Sequence, residues 1–256
     1  MVSKLSRLRR GIKRGVFFKF LKYYLIGGLK KVKETPENII FQDRKDNLLW
    51  DVPKQQPYTK DYIYSVNPST ELSISPFFKI NSGIFIDIGA FAGKYSLSVA
   101  KNAPNVTVYG IEPNTISREV LTRNISLNSL ESQITIVPYA ITETDGEFPF
   151  SQEGSISHLG TSNTEEKVKG ITFETLIGKY KIPLSKISLI KIDVEGVEFQ
   201  IIKQILEYSE QLNPKLKIIC EILEKQENKI EIFKFIKSKN YKIIRLDQNN
   251  VMFIKN

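Results

Sequence analysis

The chain has one cysteine, one histidine and one tryptophan in 256 residues. A single cysteine, Cys220, rules out an internal disulfide and points to a reducing compartment. It sits in the strand-like run Leu216-Lys-Ile-Ile-Cys-Glu-Ile222, where it reads as a small buried apolar side chain. The lone histidine, His158, rules out a His-rich metal site. No apolar run approaches the roughly 18 residues that a membrane-spanning helix needs. No apolar core followed by a small-residue cleavage site marks a secretory signal, so the expected location is cytoplasmic. Internal repeats and low-complexity tracts are also missing. What remains is an ordinary globular composition, 41% hydrophobic, long enough for one α/β domain plus an extension.

Acidic residues are missing from one stretch only. Residues 1–33 hold eleven Lys and Arg and no acid, which leaves 26 basic against 28 acidic residues in the remainder. The net charge of +9 is therefore a property of the tail. A nucleic-acid enzyme more often carries its positive stripe around the cleft, so nucleic acid is not the expected partner. Within the tail, Leu5, Leu8, Ile12, Val16 and Phe20 recur at helical spacing, with Arg7, Arg10, Lys13, Arg14 and Lys22 between them. Residues 1–33 are read as a basic amphipathic helix, stopped by Gly27-Gly28. It either lies on an anionic membrane surface, the inner one for a cytoplasmic protein, or packs on the domain or a partner. Residues 34–82 read as an N-terminal lead-in or lid. Its Tyr58, Tyr62 and Tyr64 either line a substrate mouth or simply pack.

From residue 83 to 256 apolar strands alternate with helical patterns. Strands are expected at 84–88, 106–111, 133–137, 187–192, 216–221, 241–246 and 250–254, and helices near 93–102, 114–128, 172–180, 197–209 and 226–239. Such alternation implies a mostly parallel sheet covered on both faces. Asp247-Gln-Asn-Asn250 joins the last two strands as a hairpin, so one edge strand is expected to run antiparallel. Between Phe148 and Lys169 the rhythm breaks into a polar, aperiodic stretch, expected to be a long functional loop carrying His158.

The sharpest motif is Gly83-Ile-Phe-Ile-Asp-Ile-Gly-Ala-Phe-Ala-Gly-Lys-Tyr-Ser96, followed by Tyr109-Gly-Ile-Glu-Pro-Asn114. It reads as strand, glycine turn, helix, and a second strand ending in an acid, the unit that binds a nucleoside. One glycine of the dinucleotide fingerprint is missing, and Asp87 stands where a pyrophosphate would lie. A carboxylate there repels a dianion but suits a ligand with an ammonium and a sulfonium, which describes S-adenosylmethionine. Asp87, Gly89, Ala90, Phe91 and Gly93 are then expected at its methionine end. Glu112 and Pro113 are expected at the ribose, with Glu112 accepting from the hydroxyls, and Ala140 beside the adenine.

A second motif, Leu189-Ile-Lys-Ile-Asp-Val-Glu-Gly-Val-Glu198, brings a buried strand out at Asp193, with Glu195 starting the next turn. Glu221 leaves the following strand at the same edge. Three carboxylates there can orient a hydroxyl, accept its proton, or hold a hard cation such as Mg through Asp193 and Glu221. Glu195 can equally cap a helix, and Glu221 can pair with a surface lysine. His158 is either a base or an exposed polar residue.

Phe85-Ile-Asp-Ile-Gly-Ala-Phe-Ala-Gly93, Ile111-Glu-Pro-Asn114 and Ile190-Lys-Ile-Asp-Val-Glu-Gly-Val-Glu198 resemble the FkbM family of S-adenosylmethionine-dependent methyltransferases, from about residue 84 to 222. The resemblance implies a class I, Rossmann-like domain: a seven-stranded, mostly parallel sheet ending in an antiparallel hairpin, with helices on both faces. It also implies O-methylation, usually of a sugar or polyketide hydroxyl, so a small-molecule, glycan or glycolipid acceptor is expected. RNA or protein methylation and a catalytically silent nucleoside-binding module are the alternatives. Phe91 departs from the Asn or His common at that position. A chain without residues 1–33 is expected to methylate a soluble acceptor yet no longer sediment with anionic vesicles. Unchanged sedimentation would remove the membrane role from the tail.

Overall fold

The computed structural model describes residues 28–54, 59–153, 156–159, 166–194, 196–223, 226 and 228–256. The chain begins with a three-stranded antiparallel sheet, β1 (Leu29–Glu34), β2 (Asn38–Asp43) and β3 (Leu49–Pro53), and a helix α1 (Thr59–Val66). The main domain then runs β4 (Gly83–Ile88), α2 (Lys94–Asn102), β5 (Val106–Ile111), α3 (Thr115–Leu127) and β6 (Ile134–Val137). A side sheet follows: β7 (Ala140–Ile141), β8 (Gly146–Glu153), β9 (Ile156–Leu159) and β10 (Lys167–Ile171). The last part is α4 (Phe173–Lys179), β11 (Ile187–Ile192), α5 (Glu198–Glu207), β12 (Lys217–Glu221), α6 (Lys229–Ser238), β13 (Tyr241–Arg245) and β14 (Asn250–Lys255).

The main sheet has the order β13-β14-β12-β11-β4-β5-β6, and all seven of its strands fall where the apolar runs predict them. β12, β11, β4, β5 and β6 pair in parallel. The antiparallel strand is β14, and it is not at the edge. It lies between β12 and β13, antiparallel to both, because the hairpin folds β13 outward.

Side-chain alternation along these strands decides what the site contains. Ile84, Ile86 and Ile88 of β4 pack with Ile190 and Ile192 of β11 and Ile218 and Cys220 of β12 in one core, under α4, α5 and α6. Phe85, Leu189 and Ile219 point the other way, into a second core with Leu97 of α2, Val120 and Leu121 of α3, and Trp50 and Tyr62 of the N-terminal part. With a side-chain period of two, Asp87, Lys191 and Glu221 fall on this second face, as do Asp193 and Glu112 just past their strands. The hydrophobic pattern of the strands thus delivers five charged groups to one side of one sheet edge. Each fully buried Ile, Leu or Phe holding that register contributes about 1.5–3 kcal/mol.

The N-terminal sheet is fastened to this face by side-chain amides. Asn128 of α3 accepts from the Leu49 N–H at 2.8 Å and donates to the Leu49 carbonyl at 2.7 Å. Asn124, fully buried, accepts from the Asp51 N–H at 2.6 Å and donates to the Ala92 carbonyl at 3.0 Å. The two asparagines complete the free edge of β3, and Asn124 joins it to the glycine turn. Left unpaired in the interior, such backbone groups would each cost about 1–3 kcal/mol.

Two expectations change here. Residues 1–27, which carry the helical pattern of the basic tail, lie outside the described residues, and Leu29–Glu34, whose first five positions were counted in that helix, is strand β1. The stretch expected as a loop after Phe148 is largely β-sheet: β8 pairs with β9 and β10, and His158 sits opposite Ser151. Short polar–apolar alternations in Glu147-Phe-Pro-Phe150 and Lys167-Val-Lys-Gly-Ile171 build it, around a small core of Ala140, Phe150 and Val168. Of the three tyrosines, Tyr62 is buried and stacks on Phe91, Tyr64 is 66% exposed, and Tyr58 lies outside the described residues. Cys220 is buried, as a small apolar residue would be.

Candidate active site

The carboxyl ends of β4, β5, β11 and β12 open into a cavity of about 1060 Å³. Residues between Asp61 and Ser73 and the hairpin loop 247–250 also line it. Gly89, Ala90, Phe91, Glu112, Pro113, Ala140, Asp193 and Glu221 all line it. A typical small-molecule site has about 300–1,000 Å³, so this one has room for a nucleoside cofactor and an acceptor together.

The turn after β4 is shaped by close approach. Gly89 has φ +82, and a Cβ there would lie 1.9 Å from the Asp193 carbonyl oxygen. Gly93 has φ +92, and a Cβ there would press on Leu97 and Leu121 at 2.5 Å. Between them Phe91 is also left-handed, φ 48. Asn and His tolerate that region better than Phe. Here a near-parallel stack on Tyr62, with centroids 4.6 Å apart, supports the strained residue.

Glu112 is 6% exposed, and both of its oxygens are held by backbone. The Phe91 N–H donates to Oε2 and the Asn114 N–H to Oε1, each at 2.9 Å. A carboxylate fixed in this way keeps lone pairs for a vicinal diol in the cavity. Burial pushes Glu112 up to about 7, against those two N–H groups that favour its charged form.

Asp87, expected at the methionine end of the ligand, lies instead beneath the turn. It is 1% exposed and absent from the cavity wall. Helix α2 starts at Gly93 without a side-chain cap of its own. Asp87 supplies it from the neighbouring strand, its Oδ2 accepting from the Ser96 N–H at 3.1 Å and the Ser96 hydroxyl at 2.6 Å. Burial raises the Asp87 pKa, with Lys191 opposing the rise. Gly93 likewise shapes the turn without facing the cavity.

Sequence reasoning gave no role to Lys191, the central side chain of this site. It is 4% exposed, 2.7 Å from Asp193 Oδ2 and 3.8 Å from Asp87 Oδ1. Burial works against its charge, but the two carboxylates outweigh that and hold the ammonium above its usual range. Lysine inside the apolar run Leu189-Ile-Lys-Ile192 was the available signal, since such a residue needs acids opposite it. Its strand register sets it directly against Asp87.

Asp193 turns a 37%-exposed side chain into the cavity. Burial tends to raise its pKa; Lys191 and a hydrogen bond shared with Glu221 bring it below the usual carboxylate value. Asp193 already has its counter-charge in Lys191. Among the described residues no three His, Cys, Asp or Glu side chains gather as metal ligands, so the described donor set does not support Mg, the option left open for Asp193 and Glu221. Glu195 lies outside the described residues, as does the side chain of His158. Lys94, Glu71 and Phe150 also reach the cavity and were not foreseen.

Sheet order, glycine turn, strand-end acid and cavity together define a class I domain of the S-adenosylmethionine-dependent methyltransferases. The family model of the methyltransferase FkbM domain matches residues 87–243, more than half of the chain, and the chain belongs to that family. Methyltransferase sdnD of Sordaria araneosa is 23% identical over 151 residues, 46% of this chain and 58% of that protein. The chain therefore spans less than two thirds of that relative's length. The fold is similar to that of a putative transferase, PH0793, from Pyrococcus horikoshii, with TM-score 0.49 and 13% identity, covering 98% of this chain and 86% of that one. It is also similar to M. jannaschii TYW2 in complex with AdoMet, with TM-score 0.47 and 15% identity, covering 89% and 90%. No helix among the described residues is long and apolar enough to cross a membrane.

Glu112 gives the site a pH dependence. Its folded pKa of about 7 lies above the ordinary 4.5, so the stability it lends the ligand-free fold is present below 4.5 and lost as pH rises through 7. Ribose hydroxyls donate to the carboxylate form. S-adenosylhomocysteine should therefore bind with proton release near neutrality and weaken, by at most about tenfold per pH unit, as pH falls below about 7. Calorimetry in buffers of different ionisation enthalpy measures both effects. Affinity that stays flat from about pH 6 to about pH 8 would contradict this role for Glu112.

Proposed function

We propose that the protein transfers the methyl group of S-adenosylmethionine to a hydroxyl group of a sugar, glycan or glycolipid. The observation that carries this reading is Asp193, a charged carboxylate facing a roomy cavity beside the glycine turn, with Lys191 and Glu221 as its partners. When bound, the cofactor supplies a methyl group already activated by a positive sulfur. The protein's part is then mainly alignment and a destination for one proton. Glu112 holds the ribose diol, and the turn at Gly89 lets the ligand approach the backbone closely. Ala140, Ile141 and Phe150 give an apolar wall for the adenine.

On the acceptor side, Asp193 orients the hydroxyl and takes its proton as the oxygen becomes a nucleophile. Lys191 keeps Asp193 in the unprotonated form that can do so, and Glu221 stands beside it at the same cavity wall. The rim favours a polyhydroxyl acceptor. Ser69, Thr70, Ser73 and Asn249 offer hydroxyl and amide groups, and Tyr64 offers an exposed ring with an apolar face. Lys94 and Lys191, the two lysines of the described cavity wall, are each paired with a carboxylate, which disfavours a polyanionic acceptor.

Asp193→Asn should lower transfer of labelled methyl to a panel of mono- and oligosaccharides by about 10²–10⁴-fold, the usual weight of a general base. Its affinity for S-adenosylhomocysteine should stay within about threefold of the parent's. Equal loss of both would remove Asp193 from the acceptor side. Label entering RNA or protein in place of sugars would overturn the acceptor class.

A further inference from the structure

Lys94 is difficult to explain as a structural residue. It is the first residue of α2, where a cation opposes the helix dipole. Its side chain is only 14% exposed, and burial pulls its pKa down while Glu71 resists. Its hydrogen bonds run away from its own helix, to residues 70 and 71, although the ammonium also lies 5.4 Å from the ring centroid of Tyr95. Nζ lies 2.7 Å from Glu71 Oε2, 2.5 Å from the Thr70 hydroxyl and 3.3 Å from the Thr70 carbonyl. Glu71 in turn accepts from the Tyr95 hydroxyl at 2.8 Å on the same oxygen, and its backbone is left-handed, φ 54. An unfavourable conformation and an unfavourable position are thus held together at the cavity wall by one ion pair.

Charge accounting narrows what the pair can serve. The cofactor that the cavity is proposed to bind ends in an amino acid, with one carboxylate and one ammonium. A buried carboxylate needs a cationic partner. Among the described residues lining the cavity, the lysines are Lys94 and Lys191. Lys191 is enclosed by Asp87 and Asp193 and has little surface left. Lys94 follows directly on the turn that Glu112 braces through Phe91, so it stands beyond the ribose position along the same turn.

On the reading that this cavity holds S-adenosylmethionine, we propose that Lys94 and Glu71 form the receptor for its zwitterionic end, Lys94 taking the carboxylate and Glu71 the ammonium. The ion pair present in the structure is then the placeholder for two new ones of the same polarity. Because Glu71 belongs to the N-terminal lead-in and lines the cavity, the same contacts would tie the lead-in to the cofactor. The lead-in thereby becomes part of the binding site.

The test compares two ligands that share the adenosine and differ in the amino-acid end. S-adenosylhomocysteine carries it, and 5′-methylthioadenosine does not. Calorimetric titration of the full chain with Lys94→Met should show S-adenosylhomocysteine weakened by about 10- to 100-fold, the range of a charged hydrogen-bonded contact. 5′-Methylthioadenosine should change by no more than about twofold, which also reports an intact fold. Glu71→Gln should act in the same direction, and Lys94→Arg should recover most of the loss. Equal weakening of both ligands, or unchanged binding of S-adenosylhomocysteine, would overturn the proposal. If the unaltered protein binds neither ligand, the nucleoside reading fails and takes the proposal with it.

Discussion

Lys191 lies between two carboxylates at the cavity wall, 2.7 Å from Asp193 and 3.8 Å from Asp87, with 4% of its surface exposed. A buried ammonium is tolerable only when it is paired, and a buried carboxylate likewise. The three groups therefore stand or fall together. From Asp87 the constraint passes to Ser96 and fixes the start of α2, and with it the turn from Gly89 to Gly93. From Asp193 it passes into the cavity, where the same charge balance keeps a carboxylate ready for a proton. One ion pair network thus fixes the start of α2 with the turn before it and holds the charge of Asp193 at the cavity, where the acceptor is proposed to bind.

The second constraint comes from β5. Glu112 is held by the Phe91 and Asn114 N–H groups, so the strand that ends at Ile111 orients the turn that follows β4. The turn is pinned from outside as well, by Asn124 to the Ala92 carbonyl and by Tyr62 stacking on Phe91. These outer contacts all come from α3 or the N-terminal part. They explain how a turn with three left-handed residues, one of them a phenylalanine, persists in a single arrangement.

Much of the fold was legible because it is written locally. Runs such as Ile84-Phe-Ile and Leu189-Ile-Lys-Ile are too apolar for any place but a sheet covered on both faces, and the helices between them follow by period. The side sheet was missed because β8 and β9 are largely polar, and a core of only three described residues, Ala140, Phe150 and Val168, anchors it. The hairpin at Asp247 was legible, but its position in the sheet was not, since strand order is set by packing far away in sequence. In the site, Glu112, Asp193 and Glu221 announced themselves by ending strands. Asp87 sits on the same motif, yet its role depends on Ser96 nine residues on and on Lys191 in the neighbouring strand. Lys94 and Glu71 could not be linked from the sequence, because the contact joins a helix start to a lead-in that carries no motif.

The turn and Glu112 form a site shaped for S-adenosylmethionine, and titration calorimetry with S-adenosylmethionine and, separately, with NAD is the direct test. Micromolar binding of S-adenosylmethionine and none of NAD is expected, because Asp87 lies beneath the turn where a pyrophosphate would need a cradle. Binding of NAD, or of neither ligand by well-folded protein, would contradict it.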